Sequence, residues 1–454
     1  MACFYNCSAD PGKILPYGDI SGIGVFISFV ATAYIAVAIL LGYYVFAFRP
    51  THDRFRETGT PASQNMNPNP VDILISPHLA ASSFENSQET TEENTNQSHL
   101  EETCIKCVLS MSNMQIMTGI PILICGFASL HCGLSAYHWQ ILVYLARFSS
   151  ITQLSALTFL RNYLYNHPRE RFLRILAMFI FLCMLTIATI PTANFTWLYD
   201  DGLAGDTSPS EYAVCYFART PNIDRLAFKS MAISTSLLVF SFGTCVIKLH
   251  RPLSEMVRGT RRRLSSAYRN RLRRLYMWSE TGDSSRWKRT VVYTPCHVAL
   301  FFSRLLIDTY SSMFMEVFNL MLSNIWATMN LVKARRLFHT QESDDWKFGQ
   351  ILTVVMLASP LLTVVEYMYP GDRNRASLMD ARHLGSSDQN IETNTTVSIA
   401  GRHPDEAVAR DEFDQESSES EMCFKVSFAL LLLVLLFLSV SSLVYVGSGM
   451  RMNL

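Results

Sequence analysis

Long apolar runs alternate with strongly polar stretches along the whole chain. Runs of about 20 residues match the hydrocarbon thickness of a bilayer, and a backbone in lipid must satisfy its own polar groups, so each run predicts a transmembrane helix. The clear runs are 22–48, 112–130, 138–160, 173–192, 228–248, 311–332, 348–369 and 424–446. The weaker stretch 291–310 holds Pro295, Arg304 and Asp308, and it predicts a ninth crossing, a re-entrant segment or an interfacial helix. The predicted fold is all-α, a polytopic transmembrane helix bundle of eight spans with this ninth candidate.

Composition supports a membrane protein. The 454 residues are 49% hydrophobic and only 17% charged, whereas soluble chains carry about 25% charged residues. The net charge is zero, so it points to no partner and gives no sign of nucleic-acid binding. The apolar runs make the lipid bilayer the predicted partner. Residues 1–20 are polar and lack the apolar core of a cleavable signal peptide, so we expect the first span to direct insertion.

Basic residues near the span ends predict the orientation, because Lys and Arg collect on the cytosolic side. The loop 251–290 holds twelve Lys or Arg against three acids, and Arg49, Arg54 and Arg56 follow the first span. The loop 193–227 is poor in bases and carries several acids. The N-terminus is therefore predicted to lie outside. The protein is predicted to reside in the plasma membrane or another membrane of the secretory pathway.

The direction of the chain after residue 290 depends on the stretch 291–310. Lys333, Arg335, Arg336 and Lys347 favour a cytosolic loop after 332, which requires 291–332 to cross twice as a tight hairpin. If 291–310 does not cross, every later segment lies on the opposite side of the membrane from the side that the hairpin gives it. We expect the hairpin.

Two segments rich in polar residues have too few apolar groups to offset chain entropy and are predicted to be disordered. With them, the domain plan is a series of eight segments: 1–21 exterior, 22–48 transmembrane, 49–111 a disordered cytosolic linker, 112–248 a block of four transmembrane helices, 249–290 a basic cytosolic loop, 291–369 the hairpin plus one span, 370–421 an acidic disordered linker, and 422–454 a C-terminal transmembrane helix.

Charged and polar residues inside two spans predict a shared polar interior, because a polar stripe that faces lipid is costly. In 138–160 the stripe comprises Gln140, Tyr144 and Arg147 with Ser155 and Thr158, and in 311–332 it comprises Glu316, Asn319, Ser323 and Asn330. Glu316 is the predicted partner of Arg147. The pair either fixes the helix register or belongs to a ligand or ion site.

Cysteines and short motifs predict several modifications. Cys132 and Cys215 fall outside and are candidates for a disulfide, with two unrelated thiols as the alternative. Cys104 and Cys107 form a C-x-x-C at a cytosolic span entry, which suits S-palmitoylation better than zinc. No metal site is predicted.

Three more motifs lie in the polar segments. Asn6 and Asn194 start N-x-[ST] sequences on the predicted outer side and are candidate glycosylation sites. RRLS around Ser265 resembles a kinase site. The surrounding loop 251–290 predicts either a basic amphipathic helix on anionic lipid or a loop that only fixes the orientation.

Several blocks together resemble a family of multi-pass integral membrane proteins of filamentous fungi. The blocks are DISGIGV (19–25), FSSITQLSALTFLRNYL (148–164), DTYSSMFMEV (308–317), WKFGQ (346–350) and ASPLL (358–362). The resemblance implies the architecture of a membrane helix bundle. It implies no activity and assigns no functional residue.

The sequence favours two functions. A receptor-like sensing protein is suggested by the outward N-terminus, the candidate disulfide and the large basic loop, and a transporter or channel by the polar groups around Arg147 and Glu316. A non-catalytic scaffold is a third possibility. An enzyme ranks last because no phosphate-binding loop, zinc-protease or nucleophile motif is present, and the sequence implies no cofactor.

Overall fold

The computed structural model describes residues 18–47, 69–75, 91–199, 207–250, 294–336 and 348–368, with single positions before 18 and between 253 and 291. Within these ranges the chain is helical and contains no strand. The main helices are α1 Ile23–Gly42, continued by a π-helical turn over Tyr43–Ala47, α2 Pro70–Ile75, α3 Thr91–Leu130, α4 Ala136–Phe159, α5 Pro168–Thr189, α6 Leu226–Leu249, α7 Thr294–Ser311, α8 Met313–Arg336 and α9 Phe348–Met368.

Five helical segments are long and apolar enough to cross a membrane: Ile23–Val45, Thr103–Leu130, Ala136–Phe159, Pro168–Asn194 and Leu226–Leu249. They coincide with the first five predicted spans and indicate an integral membrane protein. Helices α8 and α9 form where the spans 311–332 and 348–369 are predicted. The predicted span 424–446 lies outside the described residues.

Helix α4 is the centre of the bundle, because each of its residues from Ala136 to Phe159 is buried. Helices α1, α3, α5, α6 and α8 contact it. Gly119 lets α3 approach closely, since a Cβ at this position would collide with the Ser149 side chain of α4. On the outside of the bundle, Phe172, Leu173 and Phe179 of α5 are exposed, as expected for side chains in contact with lipid.

The helices alternate in direction between two ends of the bundle. We call the end that holds the Cys7–Cys215 disulfide the disulfide end, and the end where Glu316 meets Arg161 and Lys248 the ion-pair end. Helices α1, α4, α6 and α9 run from the disulfide end to the ion-pair end, and α3, α5 and α8 run the opposite way.

Contacts between helix ends fix these directions. At the disulfide end, Gly24 of α1 lies against the backbone of Gln350 at the start of α9, where a Cβ would be 2.7 Å from the Gln350 oxygen. Arg335, near the end of α8, lies over the Phe26 ring of α1. At the ion-pair end, the Tyr43 ring after α1 packs on Phe159 at the end of α4.

The position of α7 contradicts the predicted hairpin over 291–332. The Asp308 carbonyl near the end of α7 accepts a hydrogen bond from Asn69 Nδ2 (2.8 Å), and the Ser312 carbonyl accepts one from Lys248 Nζ at the end of α6 (2.7 Å). Helices α6 and α7 therefore end at the same end of the bundle, and α8 departs from it. Lys333, Arg335 and Arg336 consequently lie toward the disulfide end.

The predicted disordered linker 49–111 is wrong for two of its parts. Residues 70–75 form α2, in which Val71 and Asp72 are buried. The Asp72 carboxylate accepts hydrogen bonds from the backbone N–H groups of Met313 (3.2 Å) and Phe314 (3.3 Å), so it caps the start of α8. Helix α3 already begins at Thr91. The remainder of this segment and the predicted linker 370–421 lie outside the described residues.

Candidate functional site

Arg147 is buried in the middle of α4, with 5% of its surface exposed. All other residues of the two predicted polar stripes, from Gln140 to Thr158 and from Glu316 to Asn330, are buried as well. Their burial follows from the positions of α4 at the centre and α8 against it. The two stripes therefore meet inside the bundle.

Glu316 does not pair with Arg147. Its carboxylate lies 2.5 Å from Arg161 Nη2 and 2.8 Å from Lys248 Nζ, so the predicted pair is corrected to a cluster of three charges at the ion-pair end. The reason is depth: Glu316 is in the first turn of α8, level with the end of α4. Arg147 lies 14 residues before Arg161, or roughly 21 Å along a helix that rises 1.5 Å per residue.

Polar side chains of α6 and α8 meet in pairs along almost their whole length. Trp326 Nε1 donates to Ser234 Oγ (2.9 Å), Asn319 Nδ2 donates to Ser241 Oγ, and Lys248 meets Glu316. From one pair to the next, the residue number rises along α6 and falls along α8, as expected for antiparallel helices.

Tyr199 extends these pairs to the disulfide end. Its hydroxyl lies 2.8 Å from Ser230 Oγ and 3.3 Å from Asn330 Oδ1, and it interacts electrostatically with Arg147 and Tyr144. Together these residues connect both ends of the bundle, and we call them the polar column: Tyr199, Tyr144, Ser230, Asn330, Ser234, Trp326, Arg147, Ser323, Ser241, Asn319, Glu316 and Lys248.

The guanidinium of Arg147 is unusual within the polar column. Its Nε has no hydrogen-bond partner, and no carboxylate pairs with Arg147 in the part of the chain that the structure describes. The side chain lines a small cavity between α4, α6 and α8, with room for about one water molecule. A buried charge without a partner is costly, so this position is the strongest candidate for a ligand.

Several residues of the site were not singled out by the sequence. Arg161 and Lys248 follow or end a predicted span, where basic residues are ordinarily read as topology signals. The serines Ser230, Ser234 and Ser241 do carry a signal, because their spacing places them on one face of α6. Asp72 lies in a short apolar stretch within a polar linker, and burial raises the pKa of its carboxyl while the N–H groups of Met313 and Phe314 lower it.

The disulfide differs from the predicted Cys132–Cys215 pair. Cys215 is bonded to Cys7, with a Cα–Cα distance of 5.8 Å, and Cys132 is also disulfide-bonded. The loop before Cys215 is fixed against the start of α4, where Ala136 N donates to Glu211 O (2.7 Å).

The structure also bears on the modification sites. Asn194 Nδ2 donates to the carbonyls of Tyr216 (3.4 Å) and Arg219 (3.2 Å), so a glycan on this nitrogen would break one of these bonds and the folded loop disfavours the site. Cys107 is buried and Cys104 is half-buried, so palmitoylation of Cys107 conflicts with its packing.

The other two predicted sites, Asn6 and Ser265, lie outside the described residues, as does most of the loop 251–290. Among the residues that are described, no group of His, Cys, Asp or Glu could hold a metal ion.

No family model, curated protein or solved structure matches this chain. The resemblance to fungal membrane proteins therefore stays a prediction.

Proposed function

We propose that this protein is a receptor-like membrane protein that passes a signal between the two sides of the membrane through the polar column. The observation that carries the proposal is the antiparallel seam of α6 and α8, in which buried polar pairs run from Tyr199 to Glu316. Buried polar groups in a membrane bundle cost free energy unless they are paired. A seam built from them is able to adopt a second pairing when one end is disturbed.

Seven crossings fit this function, namely α1, α3, α4, α5, α6, α8 and α9. In this topology α2 and α7 belong to the ion-pair end and do not cross. The disulfide supports an exterior disulfide end, because disulfides persist in oxidising compartments, and the basic loop 251–290 supports a cytosolic ion-pair end. The loop 337–347 is then exterior and the tail 370–421 is cytosolic.

A membrane of the secretory pathway, such as the plasma membrane, fits this orientation, and Asn6 is then a glycosylation site. Three bases near the end of α8 lie on the outer side, contrary to the usual charge bias. Arg335 offsets this cost by stacking on Phe26. On the cytosolic side, the loop 251–290 would hold anionic lipid next to the ion-pair end.

The cluster of Glu316, Arg161 and Lys248 is the element that a signal would change. It joins the ends of α4, α6 and α8 at the cytosolic side. Opening of this cluster would separate three helices at the side where a partner protein reads them. The buried thiol of Cys245 lies next to it and reports such an opening directly.

The test measures the rate at which a maleimide alkylates Cys245 in the purified protein, by mass spectrometry of the peptide. Tyr199→Phe removes the hydroxyl that joins Ser230 and Asn330, and we expect it to raise the Cys245 rate severalfold. Glu316→Gln is the positive control. Arg219→Ala is the matched control, since the contacts it breaks, an ion pair with Glu211 and a cation–π contact with Tyr216, lie at the disulfide end, and we expect no change.

If Tyr199→Phe leaves the Cys245 rate unchanged while Glu316→Gln raises it, the two ends are not coupled and the signalling function is contradicted.

A transporter is the second candidate, because two small cavities follow one another along the column. One contains Arg147 and the other Glu316, and both are lined by Leu154, Ser241 and Leu320. Flux of ions or small solutes into proteoliposomes that contain the protein would favour transport. Coupling to Cys245 without flux would favour the receptor.

A further inference from the structure

The cavity beside Arg147 is lined by a guanidinium, which only donates hydrogen bonds, and by serine hydroxyls, which are able to donate to a ligand. Its polar lining comes from five side chains, Arg147, Ser150, Ser234, Ser241 and Ser323, and the rest of its lining is apolar. No carboxylate is among the described residues that line it. A guanidinium stays protonated in proteins, so an anion in this cavity would offset the cost of burying the charge of Arg147.

Some of the serine hydroxyls that line the cavity already donate a hydrogen bond within the protein, and the others remain able to donate to a ligand. Ser150 Oγ donates to the Arg147 carbonyl (2.6 Å), and Ser241 Oγ donates to the Leu237 carbonyl (2.8 Å). Ser234 Oγ accepts from Trp326 Nε1, which leaves its own hydrogen free to donate into the cavity. Ser323 Oγ makes no hydrogen bond.

Three groups thus converge on the cavity from three helices: the guanidinium of Arg147 on α4 and the hydroxyls of Ser234 on α6 and Ser323 on α8. Because all three donate, the matching ligand is an acceptor with negative charge. The single charge of Arg147 favours a monovalent ion, and a cavity with room for little more than one water molecule excludes phosphate, sulfate and organic anions with a bulky body.

We propose that a small monovalent anion of the size of chloride binds in this cavity, between Arg147, Ser234 and Ser323. The anion neutralises the one charge of the polar column that has no partner among the described residues. It also joins α4, α6 and α8 at mid-depth, above the cluster of Glu316. This inference does not depend on the proposed signalling function, because a structural anion and a sensed anion occupy the same cavity.

The test is anion-dependent stability of the full chain, purified in detergent with gluconate as the only anion. Titration with chloride at constant ionic strength should raise the thermal unfolding midpoint along a saturating curve, and bromide should act likewise. Sulfate should not, since it is too large and doubly charged. A midpoint that does not depend on chloride would overturn the proposal.

Two variants and a control locate the effect. Arg147→Gln should abolish the chloride dependence, and Ser323→Ala should weaken the apparent affinity about tenfold, the loss expected for one hydrogen bond. Arg174→Gln removes another arginine of a membrane-spanning segment, one that bonds Ser112 and Asn113 at the ion-pair end, and it should keep the wild-type response. Equal chloride responses in Arg147→Gln and wild type would contradict the site.

The wild-type protein offers a second measurement in case Arg147→Gln does not fold. Chloride-35 resonance broadening should appear when the protein is added and should be reversed by excess bromide. Absence of broadening in the folded wild-type protein would overturn the proposal. Loss of Cys245 coupling with anion binding intact would contradict only the signalling function.

Discussion

Glu316 of α8 lies 2.5 Å from Arg161, just beyond the end of α4, and not beside Arg147 in the middle of that helix. Both partners of this ion pair are largely shielded from water, with 4% and 19% of their side-chain surfaces exposed. Together with Lys248, the pair closes the ion-pair end of the bundle.

Glu316→Gln should destabilise the protein, because it leaves two basic side chains without their anion. We expect a loss of about 3 kcal/mol, at the low end of the range for removing one partner of a buried pair, since Arg161 and Lys248 retain some contact with water. Unfolding in mixed micelles, followed by circular dichroism, measures the loss. Arg219→Gln breaks a partly exposed pair with Glu211 and a cation–π contact with Tyr216, and it should cost about 1 kcal/mol.

A double-variant cycle separates the two possible partners of Glu316. The coupling energy between Glu316 and Arg161 should exceed that between Glu316 and Arg147, because only residues in contact couple strongly. A larger coupling to Arg147 would return the ion pair to the position that the sequence predicts.

The difference between prediction and structure at this site is one of depth. The helical period correctly placed Glu316, Asn319, Ser323 and Asn330 on one face of α8, which is buried. The helical period identifies the face on which a residue lies, but it does not give the distance of that residue from the ends of the span. Glu316 is within a turn of the helix start, so its partner had to be near a span end, as Arg161 and Lys248 are.

Asp72→Ala should weaken the start of α8, because it removes the acceptor for the N–H groups of Met313 and Phe314. A lost helix cap costs about 1–2 kcal/mol. Asp72→Asn keeps an oxygen acceptor and should recover part of this loss. Proteolytic protection of the segment 69–75 measures the docking.

Asp224→Ala, at an exposed acid near the disulfide end, is the control for this experiment and should have no effect. If Asp72→Ala behaves like Asp224→Ala, then α2 does not hold the end of α8.

The segment 69–75 shows why the average composition of 49–111 wrongly predicts a disordered linker at this position. A window average over 49–111 is polar, and it hides the five residues VDILI. One buried carboxylate at a helix start and one buried valine suffice to fix the short helix. Average composition does not report such local contacts.

Peptide mapping under non-reducing conditions should recover a Cys7–Cys215 peptide. Cys132→Ser should leave this bond intact, whereas Cys7→Ser should free the Cys215 thiol for alkylation. A Cys132–Cys215 peptide in the folded protein would contradict the Cys7–Cys215 bond and support the pairing that the sequence predicts. Four cysteines on one side, Cys3, Cys7, Cys132 and Cys215, allow three pairings, and spacing does not choose among them.

The central claim is that α6 and α8 carry the polar column from one side of the membrane to the other. The most direct measurement places one epitope tag in the basic loop 251–290 and another in 337–347, and probes both in intact and permeabilised cells. The account predicts that the 337–347 tag is accessible in intact cells and the 251–290 tag only after permeabilisation. Accessibility of both tags under the same condition would contradict it, because either α7 and α8 would then cross together as a hairpin or α8 would not cross at all.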